Sequence, residues 1–131
     1  MTMKKYLLSL FILFSLTSFS HFSTSFDPIV SALKSGNVDE LVKYFDSSVE
    51  ITLPEKSGTY TESQARIILQ DFFTSITIKD FQVIHKSENS NSQYCIGNLI
   101  TKNGLYRTTI YMKQKGEKQL IQELKFEISA L

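Results

Sequence analysis

Apolar positions recur at helical spacing through much of residues 27 to 76, and mostly at every second position from residue 78 onward. Asp27-Pro28 reads as a helix start, an N-cap residue followed by a proline at the first helical position. Ile29, Val30 and Leu33 give that helix its apolar face, and Gly36 is placed to end it. Asn37 then caps a second short helix, with Glu40 completing a capping-box-like pair, and Val38, Leu41, Val42 and Phe45 follow at helical spacing. Val49, Ile51 and Leu53 alternate with Glu50 and Thr52, a half-buried strand that stops at Pro54. The stretch from Glu55 to Tyr60 reads as a loop.

Thr61-Glu62-Ser63-Gln64 has the residue types of a capping box and opens the longest helix. Its apolar residues Ala65, Ile68, Leu69, Phe72, Phe73 and Ile76 cover a face wide enough to require burial against a sheet. From Ile78 the pattern is β. Phe81, Val83 and His85 alternate with Gln82, Ile84 and Lys86, and the polar run Ser87 to Ser92 makes a turn. A strand from Gln93 to Lys102 is closed by Asn103-Gly104, a strong hairpin signal. Strands from Leu105 to Gln114 and from Lys118 to Ile128 follow, joined through Lys115-Gly116-Glu117.

Two short helices, a strand, a long helix and an antiparallel meander resemble the nuclear transport factor 2-like fold, an α+β cone in which N-terminal helices pack on a curved antiparallel sheet. The resemblance is nearer to small exported bacterial domains of unknown function built on that fold. It is carried by Asp39-Glu40-Leu41 through Phe45, Val49-Glu50-Ile51-Thr52-Leu53-Pro54, Gly58-Thr59-Tyr60, Gln64-Ala65 and Asp71-Phe72-Phe73. It continues in Phe81-Gln82-Val83-Ile84-His85 and Tyr94-Cys95-Ile96-Gly97. These are core and turn residues, so the resemblance speaks to fold; the fold hosts enzymes, binders and scaffolds alike.

The first 25 residues have a different character. Lys4 and Lys5 precede an apolar and hydroxyl-bearing run from Tyr6 to about Phe19, and a Ser- and Thr-rich stretch leads to Phe26. This is the layout of a secretory signal peptide. The run is about fourteen residues, shorter than the roughly 18 to 20 that cross a bilayer comfortably. Ser18/Ser20 would place cleavage before His21, and Ser23/Ser25 before Phe26. The expectation is an exported protein, periplasmic or extracellular, with one domain over 26–131.

Export removes Lys4 and Lys5 from the 14 basic residues, leaving 12 against 13 acidic ones, a net charge of about −1. The charges are scattered singly, without the basic stripe that neutralises phosphates, which argues against a nucleic-acid partner. Cys95 is the single cysteine, so no internal disulfide forms, and its apolar neighbours mark it as a packed residue. One cysteine and two histidines leave no pattern for a metal site, and no cofactor motif is present.

Strand alternation offers three candidate inward faces for a pocket in the cone: Phe81, Val83 and His85; Tyr106, Thr108, Ile110 and Met112; and Leu120, Gln122, Leu124, Phe126 and Ile128. From these, Phe81, Val83, His85, Tyr106, Thr108 and Gln122 are the expected pocket-lining residues. Tyr94 to Lys102 is apolar on both sides, which points to a second layer or a homodimer through the outer sheet face. The leading expectation is a non-enzymatic binding or interaction module for a small apolar ligand or a protein. The alternative is a small proton-transfer enzyme, isomerase or dehydratase-like, with His85 as base and Tyr106 or Tyr111 donating to an oxyanion. No carboxylate falls on the three inward faces to orient His85, which favours a packing role for it. Asp71 reads as a solvent-facing helix residue.

Overall fold

A computed structural model describes residues 26–129. The segment expected to act as an export signal lies outside the described residues. The chain runs α1 (Asp27–Ser35), α2 (Val38–Leu41), a 3-10 turn (Val42–Tyr44), β1 (Phe45–Thr52), β2 (Ser57–Thr61), α3 (Glu62–Ile76), β3 (Ile78–Glu88), β4 (Ser92–Thr101), β5 (Gly104–Lys115) and β6 (Lys118–Ile128). All six strands join one sheet in the order β2-β1-β6-β5-β4-β3. Every pairing is antiparallel except β1 with β6, which is parallel. The architecture is α+β: helices packed against a curved sheet, as the order of elements led us to expect.

The helix ends follow their sequence signals with one correction. Asp27 is not the N-cap of α1: Phe26 holds that position and is itself buried, while Asp27 lies in the first turn, where a carboxylate meets the positive end of the helix dipole. Gly36 ends α1 in the left-handed conformation at φ 66°, with its N–H returned to the helix. Asn37 caps α2 by accepting the Glu40 N–H at 3.2 Å. At α3 the capping box is complete, Thr61 accepting the Gln64 N–H and the Gln64 side chain accepting the Thr61 N–H.

Two strand assignments change. The loop expected from Glu55 to Tyr60 is largely β2, paired with β1 from Ser48↔Thr61 to Thr52↔Ser57. Its five residues are small or polar and none is buried, so they carry no alternation for a sequence reading to detect. β1 begins at Phe45, four residues before the alternation becomes regular.

Two bulges reverse the expected faces. In β3 the register slips between Val83↔Gly97 and His85↔Ile96, so two residues of β3 oppose one of β4. Directly opposed residues of an antiparallel pair share a face. Phe81 and Val83 therefore point inward with Leu99 and Gly97, while His85 points outward with Ile96. The expectation that His85 shares a face with Phe81 and Val83 is corrected. In β6 the register slips at Gln122, between Tyr111↔Glu123 and Met112↔Ile121. Gln119 and Ile121 are buried ahead of the slip, and Leu124 and Phe126 after it. Leu120 and Gln122 accordingly leave the inner face they were expected to share with Leu124.

The core lies between the helices and the inner sheet face. Ile29 and Leu33 of α1, Leu69 and Phe73 of α3, and Phe81, Leu99, Ile110, Met112, Leu124 and Phe126 of the sheet are all buried within it. β4 turns Cys95, Gly97 and Leu99 inward, leaving Tyr94, Ile96 and Ile100 on the outer face, which resolves its two-sided apolar pattern. Buried side chains line this interior, and open space is found at one end of the sheet.

Candidate functional site

That open space is a groove of about 400 Å³, built from four parts of the chain. The strand end at Tyr106↔Ile128 presents two large inward side chains beyond the point where the core closes. Ile128 is 72% exposed, although the strand alternation places it on the inner face. Opposite them, α3 presents Ile68, Asp71, Phe72, Ser75 and Ile76, spaced at three, four, seven and eight residues from Ile68 and hence on one helix face. The turn Leu53-Pro54-Glu55-Lys56 forms the remaining wall, closed by the Leu53 N–H donating to the Lys56 carbonyl at 2.8 Å.

An aromatic cluster supports the floor. Phe72 and Phe73 are adjacent on α3, so their side chains diverge by about 100° around the helix axis. Phe73 is buried and meets Phe126 edge-on at 5.8 Å, while Phe72 is half-buried and turns toward the groove. The Phe72 ring lies 5.2 Å from Phe126 and 5.5 Å from Tyr106, the latter in a perpendicular arrangement. Three charged side chains stand at the groove: Glu55, Lys56 and Asp71. None of the three makes an ion pair or side-chain hydrogen bond among the described residues, unlike Asp39 and Glu62, which share Arg66.

Of the residues expected to line a pocket, the structure brings Tyr106 to the groove. Phe81 and Thr108 are core residues, and the Thr108 hydroxyl donates to the Tyr106 carbonyl at 3.2 Å. Val83 is on the inner face but 38% exposed and outside the groove. His85 is exposed on the opposite face of β3, also outside the groove, so it is not placed beside a ligand bound there. Gln122 sits at the β6 bulge, and its Nε2 donates to Asp46 Oδ2 at 2.9 Å. Leu53, Glu55, Lys56 and Asp71 escaped sequence reasoning because they belong to a turn and a helix face with no motif to unite them.

Three titrating groups are displaced from their ordinary ranges, and all lie elsewhere: the hydrogen bond to Glu40 raises the pKa of the exposed Lys43. Asp46 accepts hydrogen bonds from the Gln122 amide and the Ser47 N–H, with Lys115 Nζ at 3.6 Å, and these hold its carboxyl below the usual carboxylate range. Burial pushes the Cys95 thiol up, against a smaller opposing pull from Lys86. Among the described residues, no group of three or more His, Cys, Asp or Glu is placed to hold a metal ion, and no helix is long and apolar enough to cross a membrane.

The family model described as domain of unknown function (DUF4783) matches residues 26–127. A crystal structure of a DUF4783 family protein from Bacteroides ovatus is similar at 27% identity and a TM-score of 0.76, covering 79% of this chain and 94% of that one. Its counterpart from Bacteroides uniformis gives 26% identity and a TM-score of 0.77, covering 80% and 97%. A putative calcium/calmodulin-dependent protein kinase type II association domain from Thiobacillus denitrificans shares the fold at 8% identity and a TM-score of 0.61, over 79% of this chain and 91% of that one. Designed proteins with a nuclear transport factor 2-like fold are also among the structural neighbours. No curated protein matches the chain.

Proposed function

The chain belongs to the DUF4783 family, and from that premise we propose that it is an exported, non-enzymatic binding domain that seats a small apolar molecule in the groove between α3 and the end of β5 and β6. The observation that carries this reading is a groove of about 400 Å³ where Phe72, Ile76, Tyr106 and Ile128 converge beside the hydrophobic core. That volume suits a small ligand. Covering a side chain such as Ile128 returns about 1.5 to 3 kcal/mol when burial is complete.

The test is titration with N-phenyl-1-naphthylamine, an uncharged dye that fluoresces in apolar surroundings. Saturable binding at one site is expected, weakened at least tenfold in Ile128→Asp, whose side chain is already exposed and whose substitution leaves the core intact. Equal binding by folded Ile128→Asp places the site elsewhere and overturns the reading.

Export rests on Lys4, Lys5 and the short apolar run ahead of Phe26. A second surface is supported by the outer sheet face, where the Tyr94 and Tyr111 rings lie 4.7 Å apart and Tyr94 remains 44% exposed. A second copy of the chain is the occupant we assign to it. Sedimentation of the native protein and of Tyr94→Glu decides the point: a dimer lost in the variant supports it, and a native monomer at high micromolar concentration removes it.

A further inference from the structure

The charges around the groove narrow the class of ligand, provided that the groove is a ligand site. We propose that the ligand is an apolar organic cation, an alkylammonium-type molecule whose positive end lies against Asp71 and Glu55. The two carboxylates face one ammonium, that of Lys56, and none of the three is neutralised by a partner within the described residues. The groove therefore has an uncompensated negative charge, whereas Asp39, Glu40, Glu62 and Glu127 elsewhere on the surface each meet a cationic side chain.

The α3 wall reinforces that sign. Asp71 and Ser75 are four residues apart on one helix face and interleave with the apolar side chains of the floor. The Ser75 hydroxyl donates to the Phe72 carbonyl at 2.7 Å, which commits its proton and leaves oxygen lone pairs to accept from a ligand N–H. Beside them the Phe72 and Tyr106 rings stand perpendicular, at 86°, offering π-faces in two directions. A cation over such a face is attracted by the ring quadrupole, while an anion is repelled. An apolar tail fits along Ile76 and Ile128.

Three ligands of equal chain length test the sign of the charge: n-octylammonium, n-octanol and octanoate, titrated at pH 7 and followed by amide chemical shifts. Because Asp71 is exposed and its field is screened, a preference of about three- to tenfold for octylammonium over octanol is expected, with octanoate weakest. Asp71→Asn should erase most of that preference, and Lys56→Gln should enlarge it. Octanoate binding as tightly as octylammonium, or an unchanged preference in the double variant Asp71→Asn, Glu55→Gln, overturns the assignment of a cation and leaves the groove as an apolar site. If none of the three shifts the groove amides, the binding reading itself fails.

Discussion

Gly97 lies opposite Val83 across the β3–β4 pair, and the ring of Phe81 fills the space that a Cβ on Gly97 would need. The glycine is required for contact and not for backbone conformation, since its φ is not in the left-handed region. An added Cβ would also come within 2.7 Å of the Gln82 carbonyl oxygen, a backbone atom that cannot swing away. An aromatic ring lying over a glycine of the neighbouring strand in this way covers backbone that would otherwise be bare.

Gly97→Ala is therefore expected to destabilise the domain by about 1 to 3 kcal/mol, the range for overpacking a closed core. Urea unfolding measures it. Pairing the change with Phe81→Leu should recover part of the loss relative to the sum of the single variants, because the two sites touch. Strict additivity would mean that the ring is not what occupies the space.

Phe73→Ala should cost about 3 to 5 kcal/mol, since the ring is buried against Phe126. Phe72→Ala should cost less, because half-burial at the groove leaves less contact to lose. Thermal unfolding of the two variants gives the order. A loss below about 1 kcal/mol at Phe73 would contradict the docking of α3 on the sheet.

Asp46 gives the domain an acid-sensitive contact. Its folded-state pKa lies below the ordinary 3.8, so the carboxylate contributes stability above that value and loses it as pH falls through the lower folded one. Unfolding followed from pH 6 downward should show native stability falling below about pH 4, and Asp46→Asn should lack that part of the fall. Parallel curves for the two proteins would show that the Gln122 and Lys115 contacts contribute nothing.

Cys95 is fully buried with its thiol pushed up, so the thiolate is scarce and out of reach. Ellman's reagent at pH 8 should leave the native protein unmodified over minutes and react at once in guanidinium. Rapid reaction under native conditions would show that β4 opens locally.

Intact mass of the exported protein should show cleavage between residues 20 and 26, at either of the two small-residue pairs. A mass that includes Met1 to Phe19 would refute processing.

Apart from β2, the order of elements was legible because capping residues and apolar periods are local: Thr61 with Gln64, Asn37 with Glu40, and Gly36 each mark their boundary within a few residues. The faces of β3 and β6 were only partly legible. Alternation read from a single strand assumes an unbroken ladder, and one extra residue near His85 or at Gln122 inverts everything beyond it. The partner strand decides whether that residue is there. The groove was less legible still, since Leu53, Asp71, Tyr106 and Ile128 come from four elements and meet through packing alone.

The parallel pair of β1 with β6 also governs when the domain becomes whole. Phe45 finds its sheet neighbour at Ile121, and Asp46 its amide partner at Gln122, 76 positions along the chain. Until β6 has emerged from the ribosome, β1 and β2 form a hairpin with no sheet to join, and Phe72 and Phe73 of α3 lack the Phe126 ring they pack on. Contacts of such long sequence separation form slowly and close the structure late. A chain threaded through a translocation channel from its N-terminus would thus stay open until its final strand arrived, which is the state that passage through a narrow pore requires.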